Sequence, residues 1–468
     1  MLEGSPRLAE ENRTLRAENA AQRVELAALR QEVQMVRGQL EQALQQIAEL
    51  EQRQSKKPPD IKPNRGESGE PKAPRKKRAQ EHNTSRKRSE PTRYERHALE
   101  RCPECDYRLS GESVDYTREV VELPPPPAVE VTEHQVIKRW CPHCRKWRSP
   151  QLDLSGQVIG HGRIGVRIAS LVAHLRTELR MPVRAIQALL ETLHGLQLST
   201  GEIVALTHQV RRELEPAVKE LKASFENSPI VHGDETGWRE NGQNGFIWGF
   251  ATPGPDGSQY FEFARSRGHA IPRGILGSAF RGYLVSDFYA AYNLLSCGHQ
   301  RCWVHLLRDL HGLKEAHAEN EEVMAWAKAV RKVYDQAQKW LEQYPQATNK
   351  ARDRAYRQAF EWLGDLGRQY ALTYEHPCCT LAKRVLRHQG ELFQFVRVPG
   401  LAADNNLIER RLRPLVIARK ISGGTRSEEG TRTRLALFSL MQTWTARGLN
   451  PFHQCLALLQ RPTANAPP

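Results

Sequence analysis

The chain has 468 residues, 69 Lys and Arg against 54 Asp and Glu, and a formal charge of +15. It is long enough for several domains, no run of ~18 consecutive apolar residues offers a membrane span, and its polar N-terminus argues against a secretory signal. Nine cysteines, four of them in two Cys-x-x-Cys pairs, speak against a disulfide framework and for a reducing, cytoplasmic setting with a metal site. The basic balance favours a nucleic-acid partner, with a merely solvated basic surface as the alternative.

Residues 8–52 keep a heptad. Asn12, Asn19, Leu26, Val33, Leu40 and Ile47 take one seam position, and Leu8, Leu15, Gln22, Leu29, Val36, Ala43 and Leu50 the other. Ten of these thirteen are apolar, which predicts a coiled coil that pairs the chain into a homodimer or higher assembly. A single amphipathic helix fits a seam this long and narrow less well. Residues 53–101 then carry sixteen Lys or Arg against seven Asp or Glu, with six prolines interspersed, and cannot bury enough surface to fold alone. This basic linker either lies along DNA phosphates or serves only as a solvated tether.

Residues 102–150 read as a zinc ribbon. Cys102-Pro103-Glu104-Cys105 and Cys141-Pro142-His143-Cys144 place four thiolates for tetrahedral structural Zn²⁺. Predicted strands at Glu119 to Leu123 and Val129 to Trp140 fill the interval. Residues 160–226 read as helices, with His194-Gly195 ending one and Ser199 capping the next near Thr200. They suit a helix-turn-helix-like DNA-binding region, in which Thr200, Glu202, Ala205 and His208 face a groove; a small structural bundle is the equal alternative.

From residue 227 the pattern changes to strands: Ile230 to Asp234, Gly245 to Ala251 and Gln259 to Phe263, the first two joined across Glu240-Asn241-Gly242-Gln243. A helix near His269 to Leu276, a strand from Gly282 to Asp287 and another at Gln300 to Val304 follow. Residues 306–398 read as a helical insertion, and residues 399–460 as a helix after Asp404-Asn405-Asn406 with closing helices behind it. The whole is a multidomain α/β chain. Asp234 and Asp287, at predicted strand ends, and Glu409, on a predicted helix, can converge to hold two divalent metal ions, with Mg²⁺ or Mn²⁺ suited to the hard oxygens. Asp404 competes with Glu409, although it is also well placed as a helix N-cap.

Four motifs in order carry a resemblance: Asp234-Glu235-Thr236-Gly237-Trp238, Val285-Ser286-Asp287, Cys302-Trp303-Val304-His305 and Asp404-Asn405-Asn406-Leu407-Ile408-Glu409-Arg410. The chain resembles the DDE transposases of bacterial insertion sequences, most closely the TnpC-type transposase of the insertion-sequence sixty-six family. The resemblance implies a ribonuclease H-like core split between residues 227–305 and 399–460, and it selects Glu409 over Asp404 for an acidic triad with Asp234 and Asp287. It implies metal-dependent cleavage at transposon ends and strand transfer to target DNA. Double-stranded DNA is the implied partner, with small accessory proteins of the same element beside it. Arg410, Arg413, Arg419 and Lys420 are placed to clamp its backbone. Cys302 and His305 are read as standing behind the metal ligands, His305 facing a phosphate or simply buried. The alternative is a dimeric zinc-ribbon DNA-binding regulator with a vestigial core.

Overall fold

The computed structural model describes residues 89–461, together with positions 33–35 and 38. Apart from those four positions, which are helical, the heptad segment lies outside the described residues, as does the linker up to residue 88. The chain divides into two compact units, Met1–Glu122 and Leu123–Pro468.

In the first unit the described chain from residue 89 onward is irregular except around the first cysteine pair. There Cys102 N donates to Tyr107 O (2.9 Å), Asp106 N donates to Cys102 O (2.9 Å), and Arg101 bridges Arg108. The second unit repeats this turn with longer arms. Strand β1 (Arg139–Cys141) pairs antiparallel with β2 (Lys146–Arg148), Trp140 opposite Trp147 in an edge-on contact at 5.8 Å. In each turn the residue after the second cysteine, Asp106 or Arg145, takes a positive φ (57° and 51°).

The strand expected at Glu119 to Leu123 is absent, and of the one expected at Val129 to Trp140 only the last two residues belong to β1. Val120 and Val131 are 80% and 90% exposed. β-prone side chains form a strand where they pack against a neighbour, and these two are left largely open to solvent.

Four helices follow: α1 (Val166–Thr177), α2 (Val183–His194), α3 (Thr200–Glu213) and α4 (Glu215–Ala223). Gly195 ends α2 in the left-handed conformation at φ 65°, and Ser199 opens α3 with a reciprocal capping box to Glu202. Next comes a five-stranded sheet of β3 (Ile230–Glu240), β4 (Gln243–Ala251), β5 (Gln259–Ala264), β6 (Tyr283–Ser286) and β7 (Gly298–Arg301), with helix α5 (Ala270–Leu276) between β5 and β6. The strand order is β5-β4-β3-β6-β7. β3, β4 and β5 run as an antiparallel meander, while β6 and β7 lie parallel to β3.

Two sequence boundaries move. β3 does not stop at Asp234 but runs on to Glu240, because its polar half pairs residue by residue with β4 across a hairpin closed by Asn241 and Gly242. Both turn residues have positive φ (50° and 75°), the geometry that matches strand twist in a two-residue hairpin. The strand expected at Gln300 to Val304 lies instead at Gly298–Arg301, since Trp303 already begins helix α6 (Trp303–Ala316).

Four more helices complete the stretch read as helical: α7 (Glu321–Gln343), α8 (Asn349–Tyr370), α9 (Cys379–Leu392) and the short α10 (Gln394–Arg397). With α6 they enclose a core of Trp303, Trp326, Val330, Leu363 and Val385 that meets the sheet at Ile230 and Val285. The chain ends in α11 (Asn406–Ser422), α12 (Glu428–Ala446) and α13 (Pro451–Leu459). One sheet face, with Val231, Trp248, Phe250 and Leu284, packs on α1 to α4, α12 and α13. The other, with Ile247, Ala251 and Phe261, packs on Ile408, Leu412 and Leu415 of α11. The open edge of β5 is covered by α12, whose Ser439 and Thr443 hydroxyls accept from Phe261 N and Gln259 N at 2.9 Å each. Among the described residues no helix is long and apolar enough to cross a membrane.

Candidate active site

The ladders decide which side chains share a level. His232 pairs with Val285 where the β3–β6 ladder ends, and Asp234 and Asp287 each stand two residues beyond that pair. A step of two keeps each on the face of its starting residue. On the next strand Ser286 pairs with Arg301, which sets Cys302 level with Asp287. On the other side Asp234 pairs with Gly249. A Cβ on Gly249 would lie 3.1 Å from both Ile408 Cδ1 and Leu412 Cδ2, so the glycine lets α11 approach the sheet beside Asp234.

Helix α11 is tied down at its start by Asn405, which the sequence motif contains without marking its role. Asn405 is fully buried; its Nδ2 donates to Gly233 O (2.8 Å), and its backbone N donates to Cys302 Sγ (3.2 Å). With Nδ2 so committed, Oδ1 accepts from His232 Nδ1 (3.2 Å), and burial holds that imidazole down to about 4, neutral at physiological pH. One amide thus joins α11 to β3 and, through its backbone, to the start of α6. The capping expected of Asp404 is displaced by one position. Asn405 occupies the N-cap while its side chain turns to β3, and Asp404 Oδ1 accepts from Asn406 N (3.0 Å). Replacing Asn405 by Ala strands the His232 and Gly233 groups in the interior. We expect a loss of about 1–3 kcal/mol for each, read from denaturant unfolding with the slope unchanged.

The electrostatics separate the acids. Burial first, then the charges of Glu235, Asp287 and Glu409, push the Asp234 carboxyl up to about 8. Glu235 itself is satisfied: Arg267 forms an ion pair with it, and Tyr292 OH donates to its Oε2 at 2.8 Å. Asp287 Oδ1 accepts from Tyr289 N (2.9 Å). Glu409, in the first turn of α11, has a buried Oε1 without a hydrogen-bond donor, and His305 Nδ1, also buried and unpaired, stands 3.9 Å away. Burial raises the Cys302 thiol to about 11 against the opposing pull of the His305, Asn405 and Val304 N–H groups. The Cys302, His305 and Glu409 donor atoms all lie within 4.8 Å of one another. Sequence spacing brought Cys302 and His305 together but gave no sign that Glu409 joins them.

The residues read as DNA contacts fall into two groups. Thr200, Arg410, Arg413 and Lys420 are exposed. Arg419 is engaged by β3, its guanidinium donating to Gly237 O and to Thr236 Oγ1 (3.4 Å). His208 is half-buried with Nδ1 2.7 Å from Thr433 Oγ1, so it packs α3 on α12. Glu202 serves the capping box, and Ala205 is exposed. A basic cavity of about 310 Å³, which no motif announced, is lined by Arg176, Arg180, Arg426 and Arg434. Burial and then Arg176 hold the Arg434 guanidinium down to about 10.

In each pair the first cysteine has its thiol lowered by backbone N–H groups of its own turn. The N–H groups of Glu104 and Cys105 draw the Cys102 thiol below its ordinary range, and those of Cys144 and His143 act likewise on Cys141.

Residues 161–433, more than half of the chain, match the family model described as transposase IS66 family. The chain belongs to the IS66 transposase family. Residues 100–145 also match the zinc-finger binding domain of transposase IS66, which makes this segment a zinc-finger domain and supports structural zinc. Two curated relatives come from Sinorhizobium fredii (strain NBRC 101917 / NGR234). The uncharacterized protein y4qI is 26% identical over 41% of this chain and 38% of its own length; y4jO, also uncharacterized, is 28% identical over 38% and 52%. The IS66-family chain therefore aligns with only about half or less of each relative. Among solved structures, a cryoEM structure of the simian T-cell lymphotropic virus intasome in complex with PP2A regulatory subunit B56 gamma matches at 13% identity. It covers 33% of this chain and 66% of that one, at a TM-score of 0.14 that carries no argument.

Proposed function

We propose that the chain is a DDE transposase with a ribonuclease H-like core, in which Asp234, Asp287 and Glu409 hold divalent metal for cleavage at transposon ends and strand transfer to target DNA. One observation carries this reading. Burial, then Glu235, Asp287 and Glu409, drive Asp234 to about 8, so the three proposed ligands repel one another when ionised, a repulsion that a proton or a bound cation relieves. The strand order, with a three-strand antiparallel meander and two further parallel strands, supports the core assignment. Hard oxygen donors fit Mg²⁺ or Mn²⁺. Such a cation, when bound, polarises a phosphoryl oxygen and favours ionisation of the attacking hydroxyl.

The chain's own groups do the positioning. Asp234 and Asp287 each follow two residues after the last pair of the β3–β6 ladder, and Asn405 ties the helix that bears Glu409 to β3. Arg410, Arg413 and Lys420, exposed on that helix, are the proposed phosphate contacts, with Thr200 on α3. The heptad of residues 8–52 would pair chains so that two transposon ends are held together. A regulator with a vestigial core would need no Mg²⁺ to act, which separates the two readings by experiment. The deciding experiment is nicking of an end-labelled duplex carrying the element's own terminus. We expect cleavage with Mg²⁺ and none with chelator; metal-independent cleavage, or none under either condition, overturns the reading.

The zinc assignment has its own check. Cys102, Cys105, Cys141 and Cys144 are proposed as the thiolates of the finger, on their sequence spacing and the family match. Cys102→Ser with Cys141→Ser should remove about one Zn²⁺ per chain by elemental analysis, the stoichiometry of a four-thiolate site. Unchanged zinc content rules these ligands out.

A further inference from the structure

Among the described residues, one cluster that shares Glu409 with the acid triad has chemistry that hard-cation binding does not use. We propose that Cys302, His305 and Glu409 form a separate site for a softer divalent cation, Zn²⁺ or Co²⁺, which shares Glu409 with the triad. The inference rests on the preceding reading only in giving Glu409 a second role; the donor set stands on its own geometry.

Three observations converge. Sulfur, nitrogen and oxygen donors from two elements lie within 4.8 Å of one another, close enough for small side-chain rotations to bring all three onto one ion. Two of these donors, His305 Nδ1 and Glu409 Oε1, are buried and lack any hydrogen-bond partner, although they face each other at 3.9 Å. Two unpaired polar atoms in one buried spot are costly unless something sits between them, and a cation satisfies both at once. Third, the sulfur accepts from Asn405 N at 3.2 Å, the kind of outer hydrogen bond that orients and stabilises a metal-bound thiolate.

The donor types select the cation. Thiolate and imidazole favour Zn²⁺ and Co²⁺, whereas Mg²⁺ asks for oxygen throughout. Three protein ligands leave a fourth position open. Binding releases the Cys302 thiol proton to solvent as the metal–sulfur bond forms, so no oxidant or reductant is needed. Glu409 lies in the first turn of α11, and Cys302 and His305 stand at the start of α6. Filling the soft site would therefore fasten the first turn of α11 to α6.

The test uses the full chain and no DNA. After a weak chelator has emptied all but the tightly held finger zinc, Co²⁺ is titrated in and thiolate-to-cobalt charge-transfer absorption is followed. We expect a saturable band in the parent protein and in Asp234→Asn, no band in Cys302→Ser, and a much higher Co²⁺ requirement in His305→Gln. His305→Gln leaves the thiol in place, so it remains informative if Cys302→Ser does not fold. No band in the parent protein, or an undiminished band in Cys302→Ser or His305→Gln, overturns the proposal. A transposase that cuts normally yet gives no band defeats this site alone. A chain that gives the band but never cuts defeats the catalytic reading alone.

Discussion

Asp234→Asn, Asp287→Asn and Glu409→Gln should each nearly abolish strand cleavage while leaving duplex binding in place. Each change keeps the size of the side chain and removes one anionic ligand from a site whose chemistry depends on concentrated charge. Losing a single electrostatic stabiliser of a transition state commonly costs on the order of 10²–10³ in rate, and a missing metal ligand adds lost occupancy to that. Duplex binding should persist because the proposed contacts, among them Arg410, Arg413 and Lys420, are unchanged. Two controls flank the triad. Asp404→Asn keeps a side-chain oxygen able to accept from Asn406 N, so it should cost about 1 kcal/mol of stability or less and spare cleavage. Glu235→Gln breaks the Arg267 ion pair inside the fold, so its expected signature is lost stability. Gel-shift and nicking assays on the same preparations separate these outcomes. Cleavage that survives Glu409→Gln and disappears in Asp404→Asn would transfer the third acid to Asp404.

Much of this arrangement was legible in the sequence, because strands and caps leave local marks. Asn241-Gly242 announced its hairpin, Ser199 announced the start of α3, and Gly195 the end of α2. The stretch from Leu306 to Arg397 reads as helix and is helical over most of its length. The misreadings share a physical origin. β3 continues past Asp234 because the partner strand holds a polar half that hydropathy alone does not mark. Val120 and Val131 have strand-forming side chains that are left largely open to solvent. The contacts that assemble the site were the least legible. Asn405 reaches Cys302 across 103 residues and Gly233 across 172, and no local spacing encodes such a meeting. His208 and Arg419 were read as groove and backbone contacts on helix position and charge. Thr433 and Gly237, which engage them, come from elsewhere in the chain.

The same acid cluster should make stability depend on pH in a direction opposite to that of most carboxylates. Asp234 has its carboxyl raised from an ordinary 3.8 to about 8, chiefly by burial and then by Glu235, Asp287 and Glu409. Between those values the metal-free folded chain holds a proton that the unfolded chain has released. Stability contributed through this proton is present at acid pH and is lost as pH rises from about 4 toward about 8. A divalent cation reverses the trend, because it neutralises the cluster and binds best where the carboxylates are ionised. Saturation at 100 times the dissociation constant adds about 2.7 kcal/mol, and more Mg²⁺ is needed to reach it as pH falls. We therefore expect Mg²⁺ to raise the melting temperature strongly at pH 8 and little at pH 5. Asp234→Asn, which cannot ionise there, should flatten the metal-free pH dependence and shrink the Mg²⁺ response together. Thermal melts of the parent and variant across that range, with Mg²⁺ or with chelator, read both effects. Equal stabilisation by Mg²⁺ at both pH values, or a variant that keeps the full pH dependence, would place the cation somewhere other than the Asp234 cluster.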